Sequence, residues 1–164
     1  MNPKQKLGLF LAAGLLAFGF AWYLQTQIPS VAPDATFKTI KGESIALADL
    51  KGKPVLVTFW ATDCPACIEE IPHLISLHQQ FSSRDLTIVA VAMDYDPPNH
   101  VLAMAEAKQI PYAIALDPTA DLAKAFGNVQ LTPTSFLINR NGMIVMQKVG
   151  AFDLPSLQEQ LKNM

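Results

Sequence analysis

The chain has 164 residues, 51% of them hydrophobic, with 12 Lys and Arg against 14 Asp and Glu. That length suits one domain plus something small, and a net charge of −2 leaves no positive field of the kind that draws nucleic acid, so that class of partner is set aside. Cys64 and Cys67 are the only two cysteines, and with no second pair a four-cysteine zinc site is excluded.

From the N-terminus, Leu7–Leu24 (LGLFLAAGLLAFGFAWYL) contains no charge and no strongly polar residue. As a helix it rises about 27 Å, just enough to cross a hydrocarbon core. Lys4 and Lys6 precede it and no Lys or Arg follows before Lys38, which predicts a single-pass anchor with its N-terminus inside. Trp22 and Tyr23 then stand at the exit interface. A cleaved signal peptide is the rival reading, although its h-region would be long and its best small-residue site, Ser30-Val31-Ala32, would leave Pro33 just after the cut. Either way the remainder is exported. The expected organisation is a cytoplasmic tip and transmembrane anchor at 1–24, a linker at 25–34, and one folded domain at 35–164.

Within that domain, Phe37–Ile45 predicts a small hairpin around Lys41-Gly42, and Ala48–Lys53 a turn. Pro54–Trp60 is a continuous apolar run of the sort that forms a strand buried on both faces. A helix from about Cys64 to Phe81 follows, with Cys67, Ile71, Leu74, Ile75, His78 and Phe81 on its buried side and a kink expected at Pro72. Leu86–Met93 is a second apolar strand, and two such strands joined by a helix make a parallel βαβ unit. A Pro97-Pro98 loop leads into a helix ending near Lys108, then a short strand at Tyr112–Leu116 and a helix from Asp117 to about Gly127. Asn141-Gly142 marks a hairpin between Ser135–Ile138 and Met143–Met146. A last helix spans about Pro155–Lys162, with Leu154, Leu157 and Leu161 inward.

Cys64-Pro65-Ala66-Cys67 therefore falls where a central strand ends and a helix begins. Unpaired amide N–H groups and the positive end of the dipole at that point favour a thiolate. Cys64 becomes the candidate attacking residue, and Cys67, one turn inward, the candidate resolving residue. Pro65 fits the first turn because its missing N–H removes one orphan donor. A structural bridge between cysteines three apart closes almost no loop, so stability explains the pair poorly. Copper delivery stays open as an alternative, since Cu(I) accepts two thiolates. His73 and His78 lie five apart, a poor chelating offset on a helix, and no metal site is expected from them or from His100.

Trp60-Ala61-Thr62-Asp63-Cys64-Pro65-Ala66-Cys67 resembles the active-site segment of thioredoxin-fold proteins. Leu131-Thr132-Pro133-Thr134 resembles that family's cis-proline loop, and Lys148-Val149-Gly150-Ala151 its glycine turn. The likeness runs from about Pro33 to the end. The anchor, the early hairpin, and the helix and strand inserted between Asp94 and Leu116 are similar to the membrane-anchored TlpA/ResA/DsbE-type thiol–disulfide oxidoreductases. The resemblance implies a three-layer α/β sandwich with a mixed central sheet behind one N-terminal transmembrane helix. It implies reduction or exchange of disulfides in exported proteins, often in cytochrome c maturation, with electrons from a membrane-embedded donor on the periplasmic or extracytoplasmic side. It implies no cofactor beyond the Cys64–Cys67 disulfide.

Supporting roles carried over this way fall to Pro133, Thr132, Gly150 and Trp60. Glu70 matches the acidic residue three after the second cysteine in ResA-like members and is positioned to exchange a proton with Cys67, although a solvated helix glutamate is the plain alternative. Two positions depart from the pattern. Thr58 stands where thioredoxin has a buried aspartate, and Asp63 stands where a tryptophan usually precedes the first cysteine. A carboxylate there is expected to oppose thiolate formation at Cys64. The segment Val57–Cys64 lacks the Pro-x-x-x-Thr-x-x-Cys setting of a peroxidase. Whether the pair acts as reductant or oxidant depends on its potential against its partners.

Overall fold

Alternation along two apolar runs builds the molecule. The computed structural model describes residues 30–164, so the expected anchor Leu7–Leu24 lies outside the described residues. Among the described residues no helix is long and apolar enough to cross a membrane. In chain order the elements are β1 (Ser30–Val31), β2 (Thr36–Lys38), β3 (Ser44–Ala46), β4 (Val55–Trp60), α1 (Pro65–Phe81) and β5 (Thr87–Ala92). These are followed by α2 (Pro98–Ala107), β6 (Ala113–Leu116), α3 (Asp121–Ala125), β7 (Thr134–Ile138), β8 (Met143–Val149) and α4 (Leu154–Lys162).

The strands form one six-stranded sheet in the order β1-β8-β7-β4-β5-β6. β4 runs parallel to β5, and β5 to β6, while β7 is antiparallel to both β4 and β8. The sheet is therefore mixed, as expected. β2 and β3 form the predicted hairpin as a separate two-stranded sheet, joined to β6 by a bridge between Thr39 and Ala115 and a bond from Ile40 N to Ile114 O at 2.9 Å.

Successive side chains of a strand point to opposite faces, and here both faces are covered. Leu56 and Trp60 of β4, Ile88, Ala90 and Ala92 of β5, and Leu137 of β7 pack with α1, Val101 of α2, and Leu157 and Leu161 of α4. Val55, Val57, Phe59, Val89, Val91, Phe136 and Ile138 pack on the other side with Phe37, Leu47 and residues Leu122 and Ala123 of α3. A ring cluster of Phe59, Phe126 and Phe136, with centroids 5.1–6.0 Å apart, fills that second layer. Full burial of each large apolar side chain contributes about 1.5–3 kcal/mol. β4, buried on both faces and paired on both edges, is firmly held, and its C-terminal end is a rigid place from which to project a reactive group.

Three local expectations are corrected. On α1 the buried residues are Cys67, Glu70, Ile71, Leu74, Leu77 and Phe81, whereas Ile75 and His78 are only half-buried. The stripe is turned toward Glu70 and Leu77, which puts a branched aliphatic group rather than an imidazole against the sheet. The helix continues through Pro72 to Phe81. The helix expected from Asp117 begins four residues later, because the buried Asp117 carboxylate accepts from Leu122 N (3.1 Å) and Ala123 N (2.8 Å). Asp117 caps α3 from outside it. Finally, Ser30 and Val31, placed in the linker from sequence, pair with Ile144 and Met143 as an edge strand; the turn expected at Ala48–Lys53 is present, opening on a 3₁₀ helix at Leu47–Leu50.

Candidate active site

The end of β4 delivers the chain to α1 through Ala61-Thr62-Asp63. Cys64 is the N-cap of α1, with extended backbone, and Pro65 occupies the first turn. Cys67 N donates to Cys64 Sγ at 3.2 Å, so the sulfur takes the place a capping oxygen usually fills. Cys64 and Cys67 are joined as a disulfide, with Cα atoms 5.3 Å apart. Cys64 is half-exposed and Cys67 is 3% exposed. One cysteine is thus open to exchange with a substrate sulfur and the other is shielded. That asymmetry matches the attacking and resolving roles read from the spacing.

Strand register places the other motifs at this end of the sheet. Thr134 pairs with Phe59 of β4 on one side and with Val149 of β8 on the other. Thr132 and Pro133 precede Thr134, and Gly150 follows Val149, so all three extend past the sheet on the side where β4 leads to Cys64. The Thr132–Pro133 bond is cis. Gly150 N donates to Pro133 O at 2.8 Å, and its φ of +80° is a conformation that glycine adopts without a Cβ penalty. Thr134 Oγ1 donates to Leu131 O at 2.7 Å, fixing the loop from within. Leu131 and Val149 are among the few large apolar side chains left exposed, at 65% and 52%.

Behind the cysteines the environment is buried and polar at once. Glu70 is 3% exposed, which rules out the solvated reading; Glu69 next to it is exposed. Glu70 Oε1 accepts from Phe152 N at 2.8 Å, tying α1 to the segment between β8 and α4. Burial holds the Glu70 carboxyl above its ordinary pKa, opposed in part by the Phe152 bond. Burial, and then the Glu70 charge, pushes the Tyr112 hydroxyl up as well. Cys67, Glu70, Tyr112, Trp60 and Thr58 together line a cavity of about 10 Å³, the size of one water. Trp60 is therefore both a core residue, 4% exposed, and a wall of the site. Thr58, where the family pattern has an aspartate, accepts from Ser135 Oγ at 3.0 Å.

The loop before Cys64 is held from outside. Asp96, 6% exposed, accepts from Thr62 N and from Thr62 Oγ1, each at 2.7 Å. Met93 N donates to Trp60 O at 3.1 Å and Cys64 N to Ala61 O at 3.3 Å. Asp63 is exposed and stands clear of these bonds. Asp96, Tyr112 and the Phe152 amide were not foreseen from sequence. Asp96 sits before Pro97-Pro98 in what reads as a plain helix-capping loop, and its partner is 34 positions away. Among the described residues no group of three or more His, Cys, Asp or Glu is placed to hold a metal.

A thioredoxin-like α/β fold with a vicinal-type Cys-x-x-Cys at the N-terminus of the helix after a central strand defines a thiol–disulfide oxidoreductase. The chain belongs to the redoxin family, whose model matches residues 28–161. It is 32% identical over 166 residues to sporulation thiol-disulfide oxidoreductase A of Bacillus subtilis, covering 99% of this chain and 97% of that one. It is 31% identical over 143 residues to the thiol-disulfide oxidoreductase ResA of Bacillus anthracis, covering 87% and 82%. A crystal structure of a thiol:disulfide interchange protein of the thioredoxin family from Chlorobium tepidum superposes with a TM-score of 0.75 at 30% identity, covering 83% of this chain and 96% of that chain.

Proposed function

We propose that this oxidoreductase is tethered to the cytoplasmic membrane by Leu7–Leu24 and works outside it as a reductant of disulfides in exported proteins, cytochrome c precursors among them. The observation that carries the reading is the half-exposed Cys64 at the helix N-terminus, backed by a shielded Cys67 and a buried Glu70. In the reducing direction Cys64 thiolate attacks a substrate disulfide, forming a mixed disulfide and releasing one substrate thiolate. Cys67 thiol then passes its proton to Glu70 and attacks Cys64 Sγ, which releases the second substrate thiolate and closes the Cys64–Cys67 bond. Two electrons move from the enzyme pair to the substrate pair, and no cofactor or metal takes part. A membrane-embedded donor restores the dithiol.

Support for each supporting residue differs. Pro133 brings no N–H to the loop edge, and Thr132 with exposed Leu131 offers backbone and apolar surface to an extended substrate segment. Asp63, exposed beside Cys64, weakens the thiolate. The test is the reduction potential of the full-length chain against glutathione, with intact mass of the membrane-fractionated protein. A potential near or below thioredoxin's, about −270 mV, and a retained N-terminal segment support the proposal. A potential well above that value overturns the reducing direction, and a mature chain lacking Leu7–Leu24 overturns the tether.

A further inference from the structure

The disulfide itself holds Cys64 against α1 in the oxidised protein. Once it opens, the Cys64 backbone is still joined to α1 by the bond from Ile68 N to Cys64 O at 3.1 Å, and the loop Ala61-Thr62-Asp63 sets how closely the thiolate sits against the helix tip that stabilises it. Within the loop the main contact is one backbone bond, Cys64 N to Ala61 O at 3.3 Å. The stronger grip comes from outside: both Asp96 carboxylate oxygens engage Thr62, at its amide and at its hydroxyl, at 2.7 Å each. Such charge-assisted pairs are about twice as strong as neutral ones. Asp96 is itself anchored, since its own N donates to Met93 O at 3.0 Å and Met93 N to Trp60 O at 3.1 Å.

We infer that Asp96 is a positioning residue for thiol–disulfide exchange: it clamps Thr62, two residues before Cys64, and keeps the reduced Cys64 sulfur at the N-terminus of α1. The clamp contributes to both redox states, but only the dithiol state needs it to hold the sulfur. Its loss therefore weakens the reduced form more than the oxidised form, which drives the potential more negative.

The test equilibrates the full-length chain with glutathione in four forms: wild type, Asp96→Ala, Asp96→Asn and Thr62→Val. Asp96→Ala is expected to shift the equilibrium about tenfold toward the disulfide, about 30 mV more negative. Asp96→Asn is expected to shift in the same direction but by less than Asp96→Ala, because the amide oxygen accepts from Thr62 N and its N–H₂ donates to Thr62 Oγ1 without the carboxylate's charge. Thr62→Val, lacking one of the two contacts, shifts less and in the same direction. Denaturation of each variant in both redox states supplies the second readout: a merely structural Asp96 lowers both states equally and leaves the potential unmoved. If Asp96 acts instead through its charge, Asp96→Ala and Asp96→Asn both move the potential more positive, since a nearby carboxylate disfavours the thiolate. Either an unmoved or a more positive potential in Asp96→Ala overturns the inference. Should that variant fail to fold, an unmoved potential in Thr62→Val overturns it.

Discussion

Replacing Glu70 separates its two structural jobs, accepting a backbone bond and carrying a buried acid. Glu70→Ala leaves the Phe152 N–H without its 2.8 Å partner in a site where no side chain replaces it. An orphaned buried donor costs about 1–3 kcal/mol, and the enlarged cavity adds to that in proportion to its volume, for about 2–4 kcal/mol in all. For a domain of this size that is a fall in Tm of roughly 10 °C. Glu70→Gln keeps an oxygen for Phe152 and removes only the ionisation.

The sign of the pH dependence follows from burial. Folded Glu70 binds its proton more tightly than in the unfolded chain, where the value is 4.5. Below that pH both states are protonated and Glu70 carries no penalty. As pH rises the unfolded chain ionises first, so stability falls until the folded carboxyl has ionised too, with a slope of at most about 1.4 kcal/mol per pH unit. The Gln variant lacks this loss. The stability of oxidised Glu70→Gln minus that of oxidised wild type, from urea unfolding between roughly pH 4 and 8, is therefore predicted to climb from about pH 4.5 and then level off. A difference that stays flat or falls with pH refutes the assignment of Glu70 as a buried acid with a raised pKa.

Removing the Glu70 charge also removes the second cause that raises the Tyr112 hydroxyl, so the tyrosine ultraviolet titration of Glu70→Gln moves to lower pH than wild type. A titration that does not move contradicts their proximity. Leu77, fully buried on α1, is predicted to cost about 2–5 kcal/mol when changed to Ala, whereas His78→Ala costs about 1 kcal/mol or less; reversal of that order in chemical denaturation would restore the face first read from sequence. Asp117→Ala frees the Leu122 and Ala123 amides and is predicted to cost about 1–3 kcal/mol, and a neutral result removes its role as the cap of α3. Asp63→Asn is predicted to speed alkylation of Cys64 in the reduced protein at low ionic strength, with the gain fading as salt screens an exposed charge. A rate indifferent to the substitution at every ionic strength shows that Asp63 does not act on Cys64.

Local chemistry made much of this molecule legible from sequence. β4 and β5 are apolar and β-branched runs bounded by charged or turn residues, Asn141-Gly142 demands a hairpin, and a proline one residue after Cys64 suits the first turn of a helix. Each signal lies within a few positions of the structure it specifies. The parts that escaped depend on contacts far apart in the chain. Asp96 meets Thr62 only because β4 and β5 run parallel and end side by side. Glu70 stands at helical spacing on the face of Cys67 and Leu74, but that a carboxylate is buried there depends on the Phe152 amide, 82 positions away, which no periodicity on α1 contains. His78 and Leu77 are neighbours on the helix surface, and which one turns inward is settled by the sheet beneath. Asp117 reads as a helix start, yet its carboxylate caps the helix from four residues before it, which delays the helix to Asp121.

The most direct test of the account is trapping of the mixed disulfide. The full-length Cys67→Ser variant, reduced and mixed with a disulfide-bonded protein substrate, is predicted to accumulate a covalent complex linked through Cys64, seen by non-reducing electrophoresis and located by peptide mass. Cys64→Ser is predicted to form none, because Cys67 is shielded at 3% exposure. A complex that forms through Cys67, or that forms equally in both variants, would contradict the assignment of Cys64 as the attacking sulfur.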